Sequence, residues 1–285
     1  MTTFIKNNKS KIIILTLILF IFISLFFKSD EKNNFNIGIV KIEGTILDSE
    51  KITKQLDDFN DDGNIDAIIV RLNTPGGSVA PSQEIYEKVK QISTDNKKPI
   101  VASIASVAAS GGYYVAIGAD KIVANPGSIT GSIGVIMSFP IAKDFMEKIG
   151  LKFETVKSGE FKDSGSPYRY PVKEDSLYFK SIVDDLHEQF VQEVAKQRSI
   201  NLTKIYDYCD GRIFTGKEAY ENQLIDTLGT FEDALNISMN LANISGEINL
   251  IYPEIEGSKL LRMFFEESKS WINSIDKMPM YLLNN

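Results

Sequence analysis

One hydroxyl in this chain is set up for nucleophilic chemistry. Ser110 sits in Ala-Ser-Val-Ala-Ala-Ser-Gly-Gly-Tyr-Tyr (105–114), where an apolar strand gives way to a helix. Ala108, Ala109, Gly111 and Gly112 strip bulk from both sides of it, and the following helix would point its N-terminus at developing negative charge. Upstream, Asn73-Thr74-Pro75-Gly76-Gly77-Ser78 ends another apolar strand. Pro75 fixes one φ angle, and paired glycines let backbone N–H groups face outward without a Cβ in the way. Two such donors are what a tetrahedral oxyanion or an enolate needs. The Gly111 N–H is a natural member of the pair; the Pro-Gly-Gly segment by itself reads equally as an ordinary strand-to-helix turn.

A serine nucleophile needs a base. A Ser-His-Asp arrangement would have to use His187, the one histidine, which falls in a helical stretch beside acids and reads as a solvated helix position. Lysine is the main competitor. An amine with an ordinary pKa of about 10.4 is protonated at neutral pH, so a working lysine base must be desolvated or set among cationic or dipolar groups. Lys162 lies in the small, polar segment Ser158 to Pro167, where neighbouring hydroxyls could hold it. The lone Cys209 cannot form an internal disulfide, has no neighbouring metal ligands and reads as a small buried residue. Nothing in the sequence calls for a metal or another cofactor.

The elements that must position these groups follow from periodicity. Runs rich in β-branched residues at Ile37–Ile42, Ile65–Leu72, Pro99–Ile104, Lys121–Ala124, Ile133–Phe139 and Phe153–Val156 predict strands, with a short strand-like Leu224–Asp226 later. Ser82–Ser93, Ile141–Ile149, Leu177–Arg198, Thr215–Asn222 and Thr230–Leu241 predict helices, several of them amphipathic. Strands alternating with helices indicate an α/β domain. A last amphipathic segment, Lys259–Ile275, carries Phe264, Phe265 and Trp271.

With 285 residues, 43% of them hydrophobic, the chain can bury a full core. Residues 1–34 hold five lysines against Asp30 and Glu31, so the remainder carries a net charge of −10 within a total of −7. Such a body offers little to phosphates, and nucleic acid is not an expected partner. Ile12 to Phe27 is a run of sixteen uncharged residues preceded by Lys6, Lys9 and Lys11 and without a small-residue cleavage pattern at its exit. As a helix it would be about 24 Å long, which predicts a single-pass signal anchor, with the lysine-bearing tip in the cytoplasm and the body beyond the membrane. The expected division is 1–34 for tip, anchor and linker, 35–250 for the catalytic domain and 251–285 for a tail.

Six segments in order resemble the signal peptide peptidase (SppA, protease IV) family of membrane-anchored serine proteases. They are Val-Lys-Ile-Glu-Gly-Thr-Ile (40–46), Arg-Leu-Asn-Thr-Pro-Gly-Gly-Ser (71–78), Ala-Ala-Ser-Gly-Gly-Tyr-Tyr (108–114), Thr-Gly-Ser-Ile-Gly-Val-Ile (130–136), Lys-Ser-Gly-Glu-Phe-Lys-Asp (157–163) and Asp-Gly-Arg-Ile-Phe-Thr-Gly (210–216). The likeness covers most of residues 37–242 and is to the short form of the family. It implies a Clp protease/crotonase-like α/β fold and a Ser/Lys dyad of Ser110 and Lys162. It carries the oxyanion donors onto Gly76 or Gly77 and Gly111, and assigns His187 no role. It further implies a homo-oligomer in which neighbouring subunits share each active site, anchored in the inner or cytoplasmic membrane, with remnant signal peptides and other hydrophobic peptides as substrates. Competing expectations are quality control of misfolded secreted or membrane proteins, a crotonase-like acyl-CoA enzyme, and a silent membrane scaffold.

Overall fold

The computed structural model describes residues 35–95 and 98–254. The expected anchor Ile12–Phe27 and the segment Lys259–Ile275 lie outside them. Among the described residues no helix is long and apolar enough to cross a membrane.

Five strands with continuous β-branched runs form the centre: β1 (Phe35–Glu43), β2 (Ala67–Thr74), β3 (Ile100–Ala109), β4 (Lys121–Ala124) and β5 (Ile129–Gly131). They pair in parallel, and both faces of the sheet are covered, which is why these strands read as unbroken apolar stretches. The pleat sorts side chains cleanly. Val40, Ile42, Ile68, Val70, Leu72, Ile100, Ala102, Ile104 and Ile122 enter one core, while Ile37, Ile39, Ala67, Ile69, Val101 and Val123 enter a second, smaller one.

The larger core is capped by α1 (Glu50–Asp61), α2 (Val79–Asp95), α3 (Gly111–Ala116) and the far half of a long helix, α5 (Lys173–Gln197). The smaller is covered by α8 (Phe231–Leu241), which packs Phe231, Ala234 and Leu235 onto the sheet. Between α3 and α8 come α4 (Lys143–Lys148), α6 (Leu202–Ile205), β6 (Ile213–Thr215), α7 (Gly216–Glu221) and β7 (Thr227–Leu228), with β8 (Ile248–Ile251) after α8. β8 extends the sheet beside β1, β7 pairs β4, and β6 pairs β5 as the antiparallel member.

β3 is the strand that matters for the site. Its first half pairs β4 through Val101–Ile104 and its second half pairs β5 through Val107–Ala109. Against β2 its register slips: Leu72 faces Ile104 but Thr74 faces Ala108, so extra β3 residues bulge between them. Bulges re-aim a strand end, and this one directs Ala109 toward the turn that carries Ser110.

Three expectations need correction. Ile133–Phe139 and Phe153–Val156 are not strands, and much of this stretch is exposed, including Ile136 at 87% and Val156 at 94%. Their composition favours extended backbone, but among the described residues neither segment pairs with a strand. Leu224–Asp226 is a turn whose Leu224 and Ile225 are buried, and the strand follows it at Thr227–Leu228.

Candidate active site

Ser110 occupies a tight strand-to-helix elbow. Its backbone has φ 52° and ψ −121°, a conformation a non-glycine residue adopts at a cost of about 1–3 kcal/mol and holds only when its surroundings enforce it. Those surroundings are visible. The Ser110 N–H donates to the Gly131 carbonyl at 2.8 Å, and its own carbonyl accepts from the Tyr114 N–H at 2.9 Å. Behind it, fully buried Tyr113 donates its hydroxyl to the Leu224 carbonyl at 2.7 Å, and the Tyr114 ring packs against Tyr86 and Phe190. The Ser110 side chain is half-buried, and its hydroxyl has no hydrogen-bond partner among the described residues.

The Pro75-Gly76-Gly77 turn lies against this elbow. After β1 the chain keeps alongside it: Ile46 donates its N–H to the Gly76 carbonyl at 2.9 Å and accepts from the Ser78 N–H at 2.8 Å. Gly76 has φ 97°, and a Cβ there would stand 2.6 Å from the Gly111 nitrogen and 3.0 Å from the Ser110 Cβ. Its own N–H is taken by the buried Thr74 hydroxyl at 3.1 Å. The N–H groups of Gly77 and Gly111, in contrast, donate to no group among the described residues. A Cβ on Gly111 would lie 3.3 Å from the Gly77 nitrogen, so these two free amides border one small space beside Ser110. Of the two glycines between which sequence did not choose, Gly77 is thus the one whose amide is without a partner among the described residues.

A cleft of about 600 Å³ opens in front of Ser110, lined also by Thr45, Ser132, Val183, His187 and Asp210. His187 differs from the solvated position expected of it. It is half-buried on the cleft wall, with Nε2 2.7 Å from the Cys209 carbonyl oxygen. That contact makes Nε2 the protonated donor, so this nitrogen is not available as a base. Cys209 is 2% exposed, and burial, with a smaller contribution from the Asp210 carboxylate, pushes its thiol up to about 12.

Lys162 is not among the cleft's lining residues. It lies in an exposed single turn of 3₁₀ helix, Glu160–Asp163, and its amine has no hydrogen-bond or ion-pair partner among the described residues. The neighbouring Lys157 is committed elsewhere: its amine donates to the Asp163 carboxylate at 2.7 Å and to the Glu160 carbonyl at 2.8 Å. Sequence reasoning missed Thr74, Ser132 and Asp210. A threonine two residues before a glycine whose amide must be tied down was the available signal for Thr74.

The doubly covered parallel sheet and the serine elbow facing free amides define an α/β protein of the Clp protease/crotonase-like kind, and a family model for Clp protease matches residues 35–128. A second model, Peptidase family S49, matches residues 92–245, more than half of the chain. The chain belongs to that family of serine peptidases, in agreement with the resemblance read from its motifs. It is 44% identical over 178 residues to a Synechocystis sp. protein described as a protease, covering 62% of this chain and 64% of that one. It is 38% identical over 185 residues to an Enterococcus faecium protein described as a signal peptide peptidase SppA, covering 64% and 53%. It is 32% identical over 218 residues to Protease 4 of Haemophilus influenzae, covering 73% and 35%. The chain thus spans less than two thirds of the length of each of these relatives.

Proposed function

We propose that this chain is a membrane-anchored serine endopeptidase that degrades remnant signal peptides and other hydrophobic peptides through a Ser110/Lys162 dyad. The observation that carries the reading is the strained Ser110 elbow beside the two unoccupied amides of Gly77 and Gly111.

In the acylation step the Ser110 Oγ attacks a peptide carbonyl carbon and forms the C–O bond. Its proton passes to the neutral Lys162 amine. The carbonyl oxygen, now negative, accepts hydrogen bonds from Gly77 and Gly111, which are held by the backbone and need no reorganisation. Collapse breaks the C–N bond, and the lysine returns its proton to the leaving nitrogen. Water, deprotonated by the same amine, then cleaves the acyl-enzyme and restores the Ser110 hydroxyl.

Within one protomer Lys162 stays outside the Ser110 cleft, so the dyad forms between neighbouring subunits of a homo-oligomer. The exposed apolar side chains from Ile136 to Val156 favour this, since solvent-facing patches of that kind mark association surfaces. Ile12–Phe27 anchors the chain and leaves the catalytic domain on the extracytoplasmic side, where hydrophobic peptides reach the membrane surface.

The test is a comparison of cleavage rates by the full-length chain on a synthetic signal peptide and on an unfolded secreted protein, with Ser110→Ala as control. Faster peptide cleavage that Ser110→Ala abolishes agrees with the proposal. Faster cleavage of the protein favours a quality-control role, and tight binding of an acyl-CoA with no peptide cleavage favours a crotonase-like enzyme.

A further inference from the structure

The turn that carries Lys162 is tied to the helix behind it through the guanidinium of Arg169. Arg169 commits all five of its N–H donors. Nε and Nη2 reach the two Asp163 carboxylate oxygens, each at 3.0 Å. Nη2 also reaches Asp175 Oδ1 at 2.8 Å, while Nη1 donates to Asp175 Oδ2 and to the Tyr170 carbonyl. Lys157 adds a further bond to Asp163.

Asp175, whose side chain is 4% exposed, is the hub on the other side. It accepts from the Ser164 hydroxyl at 2.5 Å and from the Val172 N–H at 2.9 Å, capping the N-terminus of α5. From there α5 runs on to Val183 and His187 in the wall of the Ser110 cleft, about 12 and 18 Å further at 1.5 Å per residue.

Asp163 follows Lys162 directly, within the same 3₁₀ turn. Clamping its carboxylate on two sides therefore fixes the backbone from which the lysine projects relative to the body of its own protomer, from which it reaches the neighbour's serine. Only a planar fork of donors can hold two carboxylates and a carbonyl at once; a lysine ammonium offers three donors from one point. No hydrophobic residue between Gly134 and Leu186 is buried, and the apolar contact that joins the turn itself to α5 is the half-exposed ring pair Phe161–Tyr178, 5.1 Å between centroids.

We infer that Arg169, acting through Asp163 and Asp175, is the positioning residue for the Lys162 general base. The inference rests on the Lys162 reading above. It is not itself a catalytic residue, because every donor it has is spent on the protein.

The experiment uses the full-length chain, a fluorogenic hydrophobic peptide, and the rate of covalent labelling of Ser110 by a peptidyl fluorophosphonate. Arg169→Gln is expected to lower kcat by about 10- to 100-fold with KM within about twofold, as for a misplaced catalytic group. Arg169→Lys is expected to fall between it and the wild type. Introduced into Lys162→Ala, Arg169→Gln is expected to add no further loss of labelling rate, since the two act as one unit. If Arg169→Gln does not fold, Asp163→Asn supplies the same comparison. Wild-type kcat in either variant, or a loss that adds to that of Lys162→Ala, would overturn the positioning role alone. Undiminished turnover by Lys162→Ala would remove both the base and its support.

Discussion

The Thr74 hydroxyl accepts the N–H of Gly76 at 3.1 Å, and the next amide along, that of Gly77, is left with no partner among the described residues. One buried side chain thus makes the difference between two adjacent glycines: the Gly76 amide is bonded and the Gly77 amide is not.

Removing that acceptor should be costly. Thr74→Val keeps the side-chain volume but leaves the Gly76 N–H buried without a bond, and we expect a destabilisation of about 1–3 kcal/mol in urea denaturation. Turnover should fall as well, because an unpaired Gly76 amide lets the turn rotate away from Gly111. A stability within experimental error of the wild type would mean that Thr74 does not secure the turn.

The clamp on the Lys162 turn has a defined pH range. Hydrogen bonds from Arg169 and then Lys157 hold the Asp163 carboxyl down at about 2, and Arg169 and Ser164 hold Asp175 lower still. A depressed carboxylate pKa contributes stability that is fully present above its unfolded value of about 3.9 and is lost as pH falls through the folded value. The difference in melting temperature between wild type and Arg169→Gln should therefore be constant from neutral pH down to about 5, narrow as the pH falls below about 4, and go on narrowing past about pH 2, where Asp175 still holds its charge. A difference that closes between pH 6 and 8 would contradict this assignment.

Cys209 should be chemically silent in the native protein. With its thiol pushed up to about 12 by burial, it carries little thiolate at pH 8, and the sulfur is covered. Iodoacetamide should leave the folded chain unmodified for hours and alkylate it once in denaturant, as read by intact mass. Rapid single alkylation without denaturant would show that the packing around Cys209 opens.

How far the sequence could be read depended on what each segment packs against. β1, β2 and β3 were legible because a strand buried on both faces must be apolar throughout, and Ser110 because small residues crowd a strand-to-helix junction. Ile133–Phe139 and Phe153–Val156 have strand composition too, but a strand exists only where another backbone completes its ladder. α1 was missed because only Leu56 and Phe59 of its twelve residues are buried, too thin a stripe to register as a period. β5 and β6, of three residues each, are shorter than any window in which alternation can be counted. In the site, Gly76 and Gly77 are equivalent by composition and become distinct only through Thr74. His187 looked solvated because its sequence neighbours are acidic, whereas its ring meets the Cys209 carbonyl from a segment 22 residues away.

The most direct test of the dyad is intact-mass labelling of the full-length chain by a peptidyl fluorophosphonate, comparing wild type, Ser110→Ala, Lys157→Ala and Lys162→Ala in assembled and dissociated fractions. The prediction is one adduct per chain in assembled wild type, none in Ser110→Ala, a loss of about 100-fold or more in rate for Lys162→Ala, and retained labelling in Lys157→Ala. Dissociated wild type should label as poorly as Lys162→Ala, since its serine has lost the neighbour's amine. Full-rate labelling of Lys162→Ala, or labelling that ignores assembly, would contradict a Ser110/Lys162 dyad formed between subunits.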